Sequence, residues 1–216
     1  VPMVLVNGSD GIGTGWSSTV PNYNPRQIVA NLKAKMSGDP MTEMAPWYRG
    51  FNGAIVNDLK KAERYNVYGV ISKLSETSLQ ISELPLNKWT GDYKQFLESL
   101  ITGEEGAKVG QSAADAKKMA PKPPSIKDFK EYHTDSTVKF IITMSPEQMA
   151  AAESFGFHKK FKLEGALNTS NMVLFDSEGR LKKYETASEI LEDFYGLRLT
   201  YYQKRKDWLA DKLTEE

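Results

Sequence analysis

The chain of 216 residues contains no cysteine and only two histidines. Without thiols, disulfides and thiolate zinc sites are excluded, and two isolated histidines make a poor metal site. No apolar run approaches the ~20 residues that a membrane span needs, and no signal peptide is evident, so no membrane partner is expected. Net charge is missing too: 28 Lys and Arg balance 28 Asp and Glu. That argues against the basic balance of a stand-alone nucleic-acid-binding domain, so any such contact must rest on charge arranged locally. Val1-Pro2 is not a natural start, and the sequence is expected to be a segment of a longer protein whose targeting signals lie outside it. The length allows one large domain or two small ones, and the apolar share is ordinary for a globular core.

What is present is concentrated at the start. The apolar run Val4-Leu5-Val6 feeds Asn7-Gly8-Ser9-Asp10-Gly11-Ile12-Gly13-Thr14-Gly15-Trp16, in which one stiff apolar side chain stands between two glycines. Phosphate-cradle readings fail on spacing. The dinucleotide fingerprint from Gly11 needs glycine where Trp16 sits, and the P-loop pattern on Gly8 and Gly13 finds Thr14 where its lysine must be. A small-residue loop with an apolar tip remains. For Ile12 two readings stay open: a core residue under a turn at a strand end, or a displayed side chain.

The remaining pattern is that of an α+β chain with mostly antiparallel sheet and packed helices. Asn24, Pro25 and Gln27 read as a capping box opening a helix with Ile28, Val29, Leu32 and Met36 on one face and Gly38 at its end. Thr77 to Ser82 alternates as a strand, Tyr65 to Leu74 reads as its neighbour across Ser75-Glu76, and residues 53–57 add a third strand. Helices are expected from Trp89 to Leu100 and from Ser145-Pro146-Glu147-Gln148 to Gly156, with a strand at Val138 to Met144 between them. Met172 to Phe175 and Leu181 to Tyr184 form a hairpin. Thr186-Ala187-Ser188-Glu189 opens a last helix with Ile190, Phe194, Leu197 and Tyr201 on one stripe. Residues 103 to about 125 carry little apolar periodicity and read as a mobile inserted loop, so one domain with an insertion is preferred.

No catalytic constellation emerges. Glu83, Asp92 and Glu98 are too scattered for an acid/base pair. His133, in Tyr132-His133-Thr134-Asp135, lacks a matching nucleophile and reads as structural.

The Asn7 to Trp16 segment resembles the N-G-A-E-G-I-G-T-G-W segment of eukaryotic type IIA DNA topoisomerases, with Ser9-Asp10 in place of Ala-Glu. The likeness continues in order through Pro46-Trp47-Tyr48-Arg49-Gly50, Ile81-Ser82-Glu83-Leu84-Pro85 with Trp89-Thr90, and Glu131-Tyr132-His133-Thr134-Asp135. It then runs through Phe161-Lys162-Leu163, Asn171-Met172-Val173-Leu174-Phe175-Asp176, Leu181-Lys182-Lys183-Tyr184 and Tyr202-Gln203-Lys204-Arg205-Lys206-Asp207. It lapses at the 103–125 loop.

The resemblance implies a tower domain over residues 1–185, with a DNA-bending loop at 7–16, and a long helix over 186–216 entering a coiled-coil arm. It implies double-stranded DNA as partner and Ile12 as a wedge that inserts between base pairs, aided by Gly11, Gly13 and Thr14. Apolar wedges that unstack a base step cost a few kcal/mol, offset by the extra surface a bent duplex contacts, and a β-branched wedge has few rotamers to lose. Lys159, Lys160 and Lys162 around Phe161 would touch phosphates, with Lys88 and Thr90 as weaker candidates. The bland alternative is a solvated helix end with an anchoring aromatic, and for Lys182-Lys183 and Lys204-Arg205-Lys206 that alternative is favoured, as core is for Trp89. In the family the nucleophilic tyrosine, the acidic metal cluster and the ATPase lie upstream. This segment is therefore expected to hold no catalytic residue, metal or cofactor of its own, while the full-length enzyme, a nuclear homodimer, uses ATP and magnesium ions. Two other classes remain: a nucleotide-using enzyme, and a non-catalytic protein-interaction scaffold.

Overall fold

The computed structural model describes residues 1–103 and 123–215. In chain order they form α1 (Met3–Asn7), β1 (Ser9–Ile12), β2 (Ser17–Val20), α2 (Pro25–Ser37), β3 (Ala54–Asp58), β4 (Lys61–Tyr68), β5 (Val70–Ser75) and β6 (Ser78–Glu83). There follow α3 (Thr90–Thr102), β7 (Asp128–Glu131), β8 (Phe140–Thr143), α4 (Pro146–Phe155), α5 (Phe157–Lys160), β9 (Glu164–Asn168), β10 (Met172–Phe175), β11 (Leu181–Tyr184) and α6 (Ala187–Glu215). Strands pair antiparallel in β1–β2, β10–β11, β5–β6, β6–β8 and β8–β7. The expected α+β architecture with a long last helix is what forms.

The chain gathers into two compact units, both drawing on the 1–185 segment. The first comprises Val1–Gly50, Asn57–Tyr65 and Leu167–Glu216. Its core joins Leu5 of α1, Val20 of β2, Tyr23, Ile28 of α2, Met172 of β10, Tyr184 of β11, and Ile190 and Leu191 of α6. The second comprises Phe51–Val56 and Asn66–Ala166. There the four-stranded sheet β5-β6-β8-β7 packs Leu79, Ile81, Phe140 and Ile142 against Tyr93, Leu97 and Leu100 of α3 and Met149 of α4. The buried Tyr93 hydroxyl donates to Phe161 O at 2.7 Å, so the one polar atom of that ring is satisfied. Strands β3, β4 and β9 form a further sheet in that order.

Several local expectations hold at the level of single bonds. Ser145 and Gln148 form a reciprocal capping box at α4, and the β10–β11 hairpin spans the residues expected, closing where Asp176 accepts the Glu178 and Arg180 N–H groups. Others are corrected or filled in. The apolar run leading into the glycines, left unassigned by its sequence, is a five-residue helix that buries Leu5 against the β-propensity of its two valines. At α2, Asn24 accepts the Arg26 N–H at 2.9 Å while Gln27 lies exposed. Val29 and Met36 of α2 also face solvent, and the inner face is Ile28, Asn31 and Leu32, with the Asn31 amide closing on the Thr42 backbone.

The strand read over 65–74 is two strands broken at Gly69. A Cβ there would lie 2.5 Å from Glu83 O, so only glycine lets the chain turn at that point. On α6, Ile190 is buried but Leu197 and Tyr201 are exposed, so the predicted stripe is covered only at its first turns. The inserted loop falls, for residues 104–122, outside the described residues. Among the described residues, no helix is long and apolar enough to cross a membrane.

Candidate nucleic-acid interface

The opening glycine segment folds as the β1–β2 hairpin of the first unit. Its register pairs Ser9 with Val20 and ends at Ile12 opposite Ser17. Gly13 to Trp16 make the tip, closed by the Gly13 N–H donating to Trp16 O at 2.8 Å, with Gly15 at φ 79°. The root is closely packed and needs glycine. Gly8 sits at φ 68°, and a Cβ there would meet Asn22 Oδ1 at 2.3 Å and Val20 O at 2.8 Å. Beneath it Leu5, Val20 and Tyr23 are buried, and Tyr23 N–H donates to Leu5 O.

Ile12 is 94% exposed. The reading of it as a core residue under a turn is thereby excluded. A Cβ on Gly11 would meet nothing within 4 Å, and one on Gly13 only Trp16 O at 3.4 Å. The chain's own packing does not require these two glycines; what their lack of side chains does is leave both flanks of Ile12 bare. Thr14 and Trp16 are exposed beside it. Asn171, 154 positions from Ser17 in sequence, holds the outer half of the hairpin through its side chain. No local spacing could have found that contact.

The lysine candidates lie in the second unit. Lys88, half-buried, donates through Nζ to Lys162 O at 2.9 Å. Burial and then the Lys162 charge lower the Lys88 ammonium below its ordinary range. Lys162 itself adopts φ 49° and places its ammonium 4.4 Å from the Phe96 ring centroid. Lys159, Lys160 and Lys162 line one groove of about 790 Å³ together with Phe96, Phe155 and Glu147. Lys160 Nζ donates to Ser125 Oγ at 2.8 Å.

The basic cluster is thus brought together, with Phe161 wholly buried as its anchor. Thr90 begins α3 beside Trp89, which is 78% exposed rather than core. Lys182 and Lys183 are neutralised by Asp193 at 2.7 Å and Glu185 at 3.3 Å, which fits the solvated reading.

The chemistry of catalysis finds little purchase in the described residues. His133 Nδ1 accepts the Lys139 N–H at 3.0 Å and its ring packs on Phe140, a structural role. Among the described residues no group of three or more His, Asp or Glu could hold a metal ion.

The α+β chain thus carries two surface features that a partner could meet: an exposed apolar side chain on a glycine-rooted hairpin in its first unit, and a lysine-lined groove in its second. The whole chain, residues 1–216, matches the A-subunit family of DNA gyrase/topoisomerase IV, and it belongs to that family. It is 45% identical over 213 residues to DNA topoisomerase 2 of Pisum sativum, covering 99% of this chain and 14% of that protein. It is 44% identical over 217 residues to DNA topoisomerase 2-alpha of Homo sapiens, covering 100% of this chain and 13% of that protein. The structure of the Plasmodium falciparum topoisomerase II DNA-binding, cleavage and re-ligation domain superposes with TM-score 0.87 at 39% identity, over 99% of this chain and 26% of that one. The chain thus spans about a seventh of the length of its curated relatives.

Proposed function

We propose that this chain is the duplex-bending segment of an ATP-dependent type IIA DNA topoisomerase, with residues 1–185 as the tower and 186–216 as the start of a coiled-coil arm. The observation that carries this reading is Ile12, 94% exposed at the outer end of β1 in a hairpin whose root packs closely at Gly8. Ile12 enters a base step and holds it open; Gly11, Gly13 and Thr14 let the backbone approach the groove walls. Lys88, Lys159, Lys160 and Lys162, with Thr90, contact phosphates, which set register without reading sequence. Cleavage, magnesium binding and ATP hydrolysis belong to residues outside this segment, in a nuclear homodimer that passes one duplex through a break in another. The segment alone neither cuts nor relaxes supercoiled DNA.

The test uses the full-length protein carrying Ile12→Ala. Phosphate contacts dominate affinity, so duplex binding persists with its salt slope, about −0.9 per phosphate neutralised. Bending falls, and cleavage and strand passage fall with it. An Ile12→Ala protein that bends DNA like the wild type overturns the reading. A chain that binds no duplex at all would instead favour the interaction-scaffold alternative.

A further inference from the structure

We infer that Asn171 is a positioning residue for the Ile12 tip, an inference that rests on the wedge reading above. A two-stranded hairpin alone is at best marginally stable in water. Every residue of β1 is exposed, and on β2 only Val20 is buried. Its strands reach about 13 Å from the root at the usual rise per residue, so an arm held only at Gly8, Val20 and Tyr23 can pivot.

Asn171 supplies the outer hold. Its side-chain amide donates to Ser17 O at 3.0 Å and to Ser17 Oγ at 2.7 Å, and its backbone carbonyl, which any residue there would keep, accepts the Thr19 N–H at 2.9 Å. Ser17 is the register partner of Ile12. One side chain therefore grips the residue directly across from the wedge. Asn171 is itself fixed by the next residue, Met172, which is 1% exposed in the core of the same unit. The path from core to tip is thus Met172, Asn171, Ser17, Ile12. A wedge must meet a base step at a set angle, and this path sets it.

The experiment measures bend angle by end-to-end energy transfer on a bound duplex, with affinity and melting temperature, for full-length protein carrying Asn171→Ala, Ile12→Ala and both. Asn171 is not buried, so melting temperature and duplex affinity of Asn171→Ala should match the wild type, while the bent population falls severalfold. The double variant should bend no less than Ile12→Ala alone, because an aimed but absent wedge and an unaimed absent wedge are equivalent. Ser17→Ala, which removes one of the two side-chain bonds from an exposed position, should give an intermediate loss. Wild-type bending by Asn171→Ala, with Ile12→Ala straightened, overturns the role of Asn171 and leaves the wedge standing. Additive losses in the double variant overturn it as well. Wild-type bending by Ile12→Ala overturns the wedge reading itself.

Discussion

Two isoleucines of the same unit offer a matched comparison. Ile12 is 94% exposed at the outer end of β1, and Ile28 is fully buried on α2. Truncating Ile12 to alanine withdraws a side chain that already faces water, so no burial is forfeited and no cavity opens. The remaining cost is strand propensity, whose entire scale spans about 1 kcal/mol. For a chain of this size, 1 kcal/mol moves the melting temperature by about 2–4 °C, which bounds the effect. Ile28→Ala forfeits both transfer energy and packing, about 2–5 kcal/mol, or roughly 4–20 °C on the same conversion. Because both sites lie in one unit, the comparison does not depend on whether the two units melt together. Calorimetry or circular dichroism of the three proteins reads the outcome. Equal losses for the two variants would mean that Ile12 is packed in solution, and the exposure on which the function rests would be wrong.

Gly8→Ala forces a Cβ into Val20 O and a φ of 68° with ψ 177°; that essentially glycine-only backbone alone costs about 1–3 kcal/mol, and loss of amide-exchange protection at the hairpin root should accompany it. Gly69→Ala, with its Cβ 2.5 Å from Glu83 O, should destabilise the second unit without changing the exposure of Ile12, checked by denaturant melts alongside proteolysis of the hairpin. Burial and then the Asp193 hydrogen bond push the Tyr184 hydroxyl up to about 12. A raised folded value means stability present below the unfolded value of ~10 and lost as pH climbs from there toward 12, so Tyr184→Phe should flatten part of the alkaline limb of a stability-versus-pH curve. Asp193, held low chiefly by Lys182, works in the opposite sense, its contribution being present above the usual carboxylate range and lost as pH falls through its folded value; Asp193→Asn should reduce the acid-side loss.

Local grammar was legible wherever the chain's own neighbours decide the conformation. The Ser145 to Gln148 capping box, the glycine end of α2 at Gly38 and the β10–β11 hairpin each depend on residues within a few positions of one another. Local reading fails where distant packing decides. Val4-Leu5-Val6 has strand propensity but folds as a helix to bury Leu5, and the run from Tyr65 to Leu74 looks continuous until the carbonyl of Glu83 approaches Gly69. The candidate site divides in the same way. Ile12 among its glycines was visible in sequence, but its exposure was not, since a turn can cover such a residue or display it. The grip of Asn171 on Ser17 links positions that no periodicity connects. Trp89 went the other way: a tryptophan is usually core, yet here it faces solvent ahead of α3.

The central claim is that Ile12 opens a base step. A fluorescent adenine analogue placed across successive steps of a duplex bound by the full-length protein reports unstacking directly, since its emission rises when a neighbour is withdrawn. The account predicts a rise confined to one step per hairpin with wild-type protein, and its loss with Ile12→Ala at equal occupancy of the duplex. An analogue that stays quenched at every step with wild-type protein, or one that brightens equally with Ile12→Ala, would contradict it.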